Sequence, residues 1–324
     1  MLIPILLLVA GLTILIFGAN YMVEGASALA KKFNISNLAI GLTVVAFGTS
    51  APELVVNTFA AVQGHSDIVF GNVLGSNNFN LFIILGITGL ITPLAVQSST
   101  AWKEIPISFI AIIVLFILVN DILIFNNENS ILSRIDGGIL LIFFGLFLFY
   151  VYKQLKSDPT ETEELVNIPV LSTAKTWIFI AGGLGGLVLG GHLVVNNAIE
   201  IAESLGISQK IIGLTVVAAG TSLPELATSV VAALKKNADI AVGNIIGSNI
   251  FNIFLILGAS SVLNPILFDP VFNMDMYVLA GGTIFLFSAM FMGGRHKLDR
   301  WEAAVLLLFY IGYTTYLVMQ ELQN

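Results

Sequence analysis

The sequence predicts an all-α membrane protein of ten transmembrane helices, arranged as two inverted five-helix repeats. Of its 324 residues, 57% are hydrophobic and 10% are charged, with a mean hydropathy of +0.96. Soluble domains carry about 25% charged residues. Apolar runs near the ~20 residues that cross a bilayer recur along the chain. A pair of polar motifs also occurs twice at a constant offset of 172 residues.

The chain divides into two repeats joined by one polar stretch. Residues 1–152 form the first predicted repeat, residues 153–175 a solvated cytoplasmic linker, and residues 176–324 the second repeat. The linker is the longest polar segment and carries an acidic run, which is typical of a solvent-exposed loop. The predicted spans cover residues 2–22, 36–62, 69–91, 105–120, 134–152, 176–199, 208–234, 240–263, 276–292 and 301–319.

The charges predict an orientation and exclude some partners. With both termini outside the cell, 11 of the 13 Lys and Arg residues fall on the cytoplasmic side, and only Arg134 and Lys210 fall outside. This split follows the positive-inside rule. A net charge of −7 without a basic stripe argues against nucleic acid as a partner. The expected location is the cell membrane, with lipid and inorganic cations as partners and no obligate protein partner.

The internal repeat is close enough to define the architecture. Residues 41–54 match residues 213–226 at 12 of 14 positions, and residues 68–86 match residues 240–258 at 12 of 19. Five spans per half is an odd number, so the second half enters the membrane from the opposite side. Transporters built from inverted repeats bind substrate at the repeat interface, near the bilayer midplane.

The first motif places oxygen donors around a membrane-buried acid. It reads Gly-Thr-Ser-x-Pro-Glu and ends at Glu53 in the first half and at Glu225 in the second. The Thr and Ser lie four and three residues before the Glu, so all three share one helix face. Pro52 lacks an N–H, which frees backbone carbonyls in the preceding turn. Carboxylate, hydroxyl and carbonyl oxygens are the ligands that Ca²⁺ prefers, and Na⁺ accepts the same kind.

The second motif supplies further oxygens. It reads Gly-Asn-x-x-Gly-Ser-Asn-x-Phe-Asn, and its Ser and last Asn lie four residues apart on one face. These residues are Ser76 and Asn80 in the first half, and Ser248 and Asn252 in the second. The remaining asparagines, at positions 72, 77, 244 and 249, are predicted mainly to hold helices together, at roughly 0.6 kcal/mol per hydrogen bond.

The cost of burying two carboxylates argues against a purely structural role for the two glutamates. A charged carboxylate at the bilayer centre costs at least ~2.5–3.5 kcal/mol, and no Lys or Arg lies in the interior of the four motif spans to pair with them. Protonation would also neutralise them, which leaves a proton-coupled role open. An intramembrane hydrolase would need a base beside Ser50 or Ser222, and neither motif contains a His. A channel remains a further class, distinguished by freely conducted current.

The two motif pairs, repeated in a ten-span chain, resemble the sodium/calcium exchanger family of the calcium/cation antiporter superfamily. The resemblance covers the whole chain. It implies antiport of Ca²⁺ against Na⁺ by alternating access, without enzymatic activity or a cofactor, and it implies that the first and sixth spans slide as a gate. Proton-coupled and K⁺-dependent antiport of Ca²⁺ are the alternatives.

The resemblance also assigns a ligand set by motif position. It comprises the two glutamates, hydroxyls, amides and backbone carbonyls: Glu53, Glu225, Thr49, Ser50, Thr221, Ser222, Ser76, Ser248, Asn80, Asn252, Ala46 and Ala218. Some family members carry Asp at the position of Asn252. With two carboxylates, the site is balanced by one Ca²⁺ or by two Na⁺, and the stoichiometry stays open.

Overall fold

The computed structural model describes residues 2–120, 130–157, 171–205, 218–292 and 296–323. Every predicted span corresponds to a helical segment, and the all-α class is confirmed. In chain order the helices are Leu2–Phe33, Asn37–Thr49 with Ala51–Val62, Ser66–Ile91, Thr100–Val119, Arg134–Ser157, Thr173–Ser204, Ala218–Gly220 with Leu223–Leu234, Ala238–Leu263, Asn273–Ala289 and Arg300–Gln323.

Seven helices among the described residues are long and apolar enough to cross a membrane, and a bent pair of helices counted as one span makes eight. Two predicted spans are outside this set. The first part of the predicted seventh span, residues 208–217, lies outside the described part of the chain, and the remainder contains the helix Leu223–Leu234. The tenth is the helix Arg300–Gln323. The predicted linker is helical as far as Ser157 and again from Thr173, and its middle lies outside the described residues.

The motif helices form the centre of the molecule. In the apolar 18-residue stretch of Ala238–Leu263, 94% of the residues are buried, and in that of Ser66–Ile91, 67% are. The corresponding stretches of Leu2–Phe33 and Thr173–Ser204 are each 28% buried. Apolar side chains such as Ile3 and Ile178, 70% and 66% exposed, lie on the outer faces. Such faces suit contact with lipid, so the polar motifs are enclosed by helices rather than exposed to the bilayer.

The first and sixth helices pack closely through glycines. A Cβ added to Gly183 would lie 2.5 Å from the Met22 nitrogen, and one added to Gly190 would lie 2.6 Å from the Leu15 nitrogen. Such contacts are impossible for a larger residue without moving a backbone. Small residues of this kind allow membrane helices to approach closely.

Two short antiparallel strand pairs join the two repeats, which are related by a pseudo-twofold axis. Leu94–Ala95 (β1) pairs with Lys297–Leu298 (β4), and Ile131–Leu132 (β2) pairs with Ile266–Leu267 (β3). Each pair joins one repeat to the other. The sequence did not predict them, because two-residue strands show no periodicity of hydrophobic residues.

The second span is broken at its motif. Asn37–Thr49 and Ala51–Val62 meet at Ser50 with a bend of 48°. Pro52 stands in the first turn of the new helix, where its missing N–H is tolerated. The helices carrying the second motif continue through π-helical turns at Phe79–Ile84 and Phe251–Leu257. Such wide turns are frequent at functional sites, and here they contain Asn80 and Asn252.

Candidate cation site

The two glutamates lie at equivalent places in the two repeats. Glu53 and Glu225 are each 1% exposed and stand in the first turn of the helices that follow the breaks at Ser50 and Ser222. The amino-terminal end of a helix carries partial positive charge, which favours a carboxylate there.

Hydroxyl groups of both repeats converge on Glu225. Ser50 Oγ donates to Glu225 Oε1 at 3.0 Å, and Ser248 Oγ lies 3.5 Å from the same oxygen. Ser50 and Ser248 are themselves 3.0 Å apart. The predicted ligands Ser50, Glu225 and Ser248 are therefore brought together, although they come from three different spans.

Each carboxylate retains one oxygen without a partner. Glu53 Oε2 and Glu225 Oε2 are buried and accept no hydrogen bond from any described residue. Among the same residues, neither glutamate forms an ion pair with Lys or Arg. A buried charge without a partner is strongly unfavourable, so these two oxygens are available to a cation.

The side-chain nitrogens of Asn80 and Asn252 donate hydrogen bonds to other asparagines, while their side-chain oxygens accept none from the described residues. Asn80 Nδ2 donates to Asn249 Oδ1 at 3.1 Å, and Asn252 Nδ2 donates to Asn77 Oδ1 at 3.0 Å. The Oδ1 atoms of Asn80 and Asn252 are buried and have no partner in the described structure. Ser222 Oγ is buried and unpartnered in the same way.

The threonines contact asparagines of the opposite repeat. Thr49 Oγ1 donates to Asn244 Oδ1 at 3.0 Å, and Asn72 Nδ2 donates to Thr221 Oγ1 at 3.2 Å. Ser76 Oγ is 3.4 Å from Thr221 Oγ1. Asn72 and Asn244 thus connect the repeats, in line with the role predicted for them, and they also orient two predicted ligands.

The two predicted backbone ligands are the carbonyls of Ala46 and Ala218. The Ala46 carbonyl accepts the Ser50 N–H at 3.0 Å, and the Thr49 hydroxyl lies 3.4 Å from the same oxygen. In a regular helix the N–H of residue 52 would donate to the carbonyl of Gly48, four residues earlier. Pro52 has no N–H, so the Gly48 carbonyl loses this hydrogen bond. Ala218 begins the helix Ala218–Gly220, and the residues before it lie outside the described chain.

Two residues of this network were missed by the sequence analysis. Asn57 and Ser229, both 0% exposed, lie four residues after Glu53 and Glu225 and contact the asparagines behind them. The i, i+4 spacing places each on the face of its glutamate. That spacing was the available signal, but neither residue falls within the repeated motif.

The oxygen atoms of this site suit a hard cation, and only two of the groups that carry them, the carboxylates, can be charged. Two carboxylates are surrounded by hydroxyl and amide oxygens, which suit Ca²⁺ and similar cations. Among the described residues, no three His, Cys, Asp or Glu side chains lie close enough together to hold a metal ion. The site is therefore assembled mainly from neutral oxygens, contributed by both repeats.

A family comparison agrees with this arrangement. The sequence profile described as "Sodium/calcium exchanger protein" matches residues 3–153 and 175–319. The chain belongs to the sodium/calcium exchanger family. The resemblance seen in the motifs is thus confirmed, and the family is one of cation antiporters rather than enzymes. Its members are membrane proteins, in agreement with the apolar helices described above.

Relatives of this exchanger family match over nearly their full length. The putative antiporter CaxA of Alkalimonas amylolytica is 38% identical over 322 residues, covering 97% of this chain and 98% of the relative. The sodium/calcium exchanger MaX1 of Methanosarcina acetivorans is 31% identical over 340 residues, covering 95% and 96%. A solved structure of the sodium-calcium exchanger NCX_Mj, soaked with Na⁺ and Sr²⁺, superposes with a TM-score of 0.80 at 32% identity, covering 96% and 97%.

Proposed function

We propose that this exchanger moves Ca²⁺ in one direction across the membrane in return for Na⁺ in the other, at a single site between the repeats. The observation that carries the proposal is the set of buried oxygens without partners. Five of them belong to motif residues of both repeats: Glu53, Glu225, Asn80, Asn252 and Ser222. Unpartnered acceptors in an enclosed interior are costly, and a cation would satisfy all of them together.

The charge of the site supports exchange rather than leak. Glu53 and Glu225 together contribute two negative charges when ionised, which one Ca²⁺ or two Na⁺ would neutralise. An empty site would leave both carboxylates unpaired in a poorly solvated interior, a state too costly to carry across. Reorientation is therefore expected only when cations occupy the site, and one cation species must leave before the other binds.

The proposed ligands are those that the motifs select. Side chains of both repeats supply the carboxylates, hydroxyls and amides, and two backbone carbonyls complete the set. They are Glu53, Glu225, Thr49, Ser50, Thr221, Ser222, Ser76, Ser248, Asn80, Asn252, Ala46 and Ala218. No resident cofactor is part of the proposal, since Ca²⁺ and Na⁺ are the transported substrates.

Alternating access would be provided by the first and sixth helices. They pack on each other through Gly18 and Gly183 with no side chain between the two backbones. Such a smooth surface lets two packed helices slide along each other, which is the shear type of motion. We propose that the pair moves as one gate across the motif helices, exposing the site to each side in turn.

The proposed orientation places both termini outside the cell and the loop between the repeats in the cytoplasm. The chain contains no cysteine, so single cysteines can be introduced without a background thiol. A cysteine at Lys235 should react with a membrane-impermeant maleimide only after the cells are opened. A cysteine at Asp269, on the opposite side, should react in intact cells. The reverse pattern would overturn the orientation.

The experiment that tests the function is ⁴⁵Ca²⁺ uptake into proteoliposomes with Na⁺, K⁺ and H⁺ gradients imposed separately. An outward Na⁺ gradient alone should drive uptake. Uptake driven only by a pH gradient would establish proton coupling instead, and a requirement for K⁺ beside Na⁺ would establish co-transport of K⁺. Uptake with no counter-gradient, accompanied by current in bilayer recordings, would show a channel.

A further inference from the structure

Another buried acid lies outside the motif helices, where the fourth span begins. Glu104 is 0% exposed and ends the π-helical turn Thr100–Glu104, at the end of the bundle that the proposed orientation places in the cytoplasm. Its Oε1 accepts a hydrogen bond from the Tyr150 hydroxyl of the fifth span. Its Oε2 is buried and has no partner among the described residues. The proposed exchange makes no use of this carboxylate.

Two further oxygens near Glu104 lack partners in the same way. Thr100, 1% exposed, lies four residues before Glu104 and so on nearly the same face of the helix. Its Oγ1 has no hydrogen-bond partner in the described structure. Gln154, 7% exposed, lies four residues after Tyr150 on the fifth span, and its Oε1 is likewise buried and unpartnered. A carboxylate, a hydroxyl and an amide thus each contribute one unsatisfied oxygen.

Two contacts between the fourth and fifth spans hold these residues together. The Tyr150 hydroxyl bonds to Glu104, and Gln154 Nε2 donates to Ser99 Oγ at 3.3 Å, one helical turn nearer the proposed cytoplasmic ends. Thr100 follows Ser99 directly, so it lies between the two contacts. Because the Gln154 nitrogen is engaged by Ser99, the oxygen is the end of the amide that remains for another partner. The three unsatisfied oxygens therefore belong to one polar region between two helices.

Glu104 has no countercharge among the described residues. It forms no ion pair with Lys or Arg there. Lys103 precedes it in the chain, but this side chain is exposed and its amine lies over the Tyr150 ring, 5.9 Å from the centroid. A buried carboxylate without a countercharge is strongly unfavourable. The charge is relieved either by a proton or by a bound cation.

A bound cation satisfies this region better than a proton does. A proton on Glu104 Oε2 could be donated to only one of the other two oxygens, which leaves the third without a partner. A hard cation is bound by carboxylate, hydroxyl and amide oxygens at the same time. One carboxylate matches one positive charge, whereas a divalent ion would leave a positive charge in excess.

The second repeat has a similar pair of an acid and a tyrosine, but without the other oxygens. Asp275 stands in the first turn of Asn273–Ala289, and Tyr313 of the last span donates to its Oδ1 at 3.0 Å. Asp275 is only partly buried, and neither of its side-chain oxygens is among the buried atoms without a partner. The pair itself is therefore present in both repeats, and the unsatisfied oxygens distinguish the first.

We propose that Thr100, Glu104 and Gln154 form a second cation site, which binds one monovalent metal ion between the fourth and fifth spans. The inference goes beyond the proposed exchange, because this ion takes no part in the transport cycle and instead stabilises the contact between two spans outside the motifs. Na⁺ and K⁺ share the required charge and the preference for oxygen ligands, and the experiment distinguishes them.

The test measures equilibrium binding of ²²Na⁺, and of ⁸⁶Rb⁺ as a substitute for K⁺, to the detergent-solubilised chain. The Glu53→Gln/Glu225→Gln variant is the background, so that the carboxylates of the motif site no longer contribute. One of the two ions should bind saturably. Thr100→Val retains the shape and the carboxylate of the site and should weaken binding about tenfold, equivalent to about 1.4 kcal/mol. Glu104→Gln should abolish binding, and the matched control Asp275→Asn should leave it unchanged.

The melting temperature in detergent gives a second readout in the same background. Replacing choline by the bound ion at constant ionic strength should raise it, because an ion that binds only the folded chain stabilises that chain. Glu104→Gln should remove this dependence and should also raise the melting temperature in choline, since the unpaired buried charge is gone. A high melting temperature in choline would separate loss of the ion from loss of the fold.

Three results would overturn the proposal. They are the absence of saturable binding of either ion, binding that Glu104→Gln leaves unchanged, and tighter binding of ⁴⁵Ca²⁺ than of both monovalent ions to a site that Glu104→Gln removes. Saturable binding of ²²Na⁺ alone would identify Na⁺ as the ion, and binding of ⁸⁶Rb⁺ alone would identify K⁺. If Na⁺ fails to drive uptake in the native chain, the proposed exchange is wrong, while binding to the Glu53→Gln/Glu225→Gln background still decides the second site.

Discussion

Asn77 and Asn249 donate hydrogen bonds to each other's backbone carbonyl, at 3.2 and 3.4 Å, although 172 residues separate them. Reciprocal contacts of this kind mark the axis of an isologous interface. The axis here relates the two repeats of one chain. The same two side chains also accept the amides of Asn252 and Asn80 through their oxygens. The repeat interface and the orientation of two proposed ligands thus depend on one asparagine pair.

Substituting either member of this pair should destabilise the protein to a similar extent. Asn77→Leu and Asn249→Leu each leave buried polar groups of the opposite repeat without partners, which costs about 1–3 kcal/mol. Thermal unfolding in detergent measures the loss. Asn196→Leu is the matched control, because Asn196 is exposed and bonds only within its own helix to His192 among the contacts described. A loss confined to one of the two core variants would contradict the reciprocal arrangement.

Much of the fold could be predicted from the sequence, because membrane spans and a constant-offset repeat are local patterns. The roles of Asn57 and Ser229 could not be predicted in this way. The orientation of an amide depends on which acceptor each of its neighbours has already taken, and those neighbours lie on different helices. Pro52 indicates freed backbone carbonyls near Ser50, but the bend of the helix there depends on the helices packed around it. The strand pairs between repeats are likewise contacts of distant segments.

Neutralising either buried glutamate should abolish exchange. Glu53→Gln and Glu225→Gln retain the shape of the side chain but remove one of the two charges that balance Ca²⁺. We expect Na⁺-driven ⁴⁵Ca²⁺ uptake to fall to the level of empty liposomes. Glu24→Gln is the control, since Glu24 is 41% exposed and pairs with Lys235 at 2.9 Å; an exposed pair of this kind contributes little to stability. Substantial uptake by either motif variant would remove that glutamate from the site.

Adding a third carboxylate should change the electrical character of transport. Asn252→Asp places an acid at a position whose oxygen is already buried and unpartnered. A site with three negative charges would be balanced by one more Na⁺, so each cycle would move more net charge. Uptake of ⁴⁵Ca²⁺ should become more dependent on a membrane potential set with K⁺ and valinomycin. Asn252→Leu removes the oxygen without adding charge and controls for loss of the ligand. An unchanged voltage dependence in Asn252→Asp would show that charge at this position does not set the stoichiometry.

Enlarging one glycine of the gate should block transport, while enlarging a neighbouring glycine should not. The Cβ of Gly183→Ala would lie 2.5 Å from the Met22 nitrogen, so the first and sixth helices must separate to accept it. Gly185 lies on the same helix, two residues away, and its added Cβ would meet nothing within 4 Å. Both substitutions replace glycine by a better helix former, which by itself favours the helix by about 1 kcal/mol. A difference in uptake between the two variants therefore reports the contact between helices and not the stability of the helix.

We expect Gly183→Ala to lose most of its Na⁺-driven uptake and Gly185→Ala to retain it. Full uptake by Gly183→Ala, with normal expression, would show that close contact of these two helices is not needed for the gate to move.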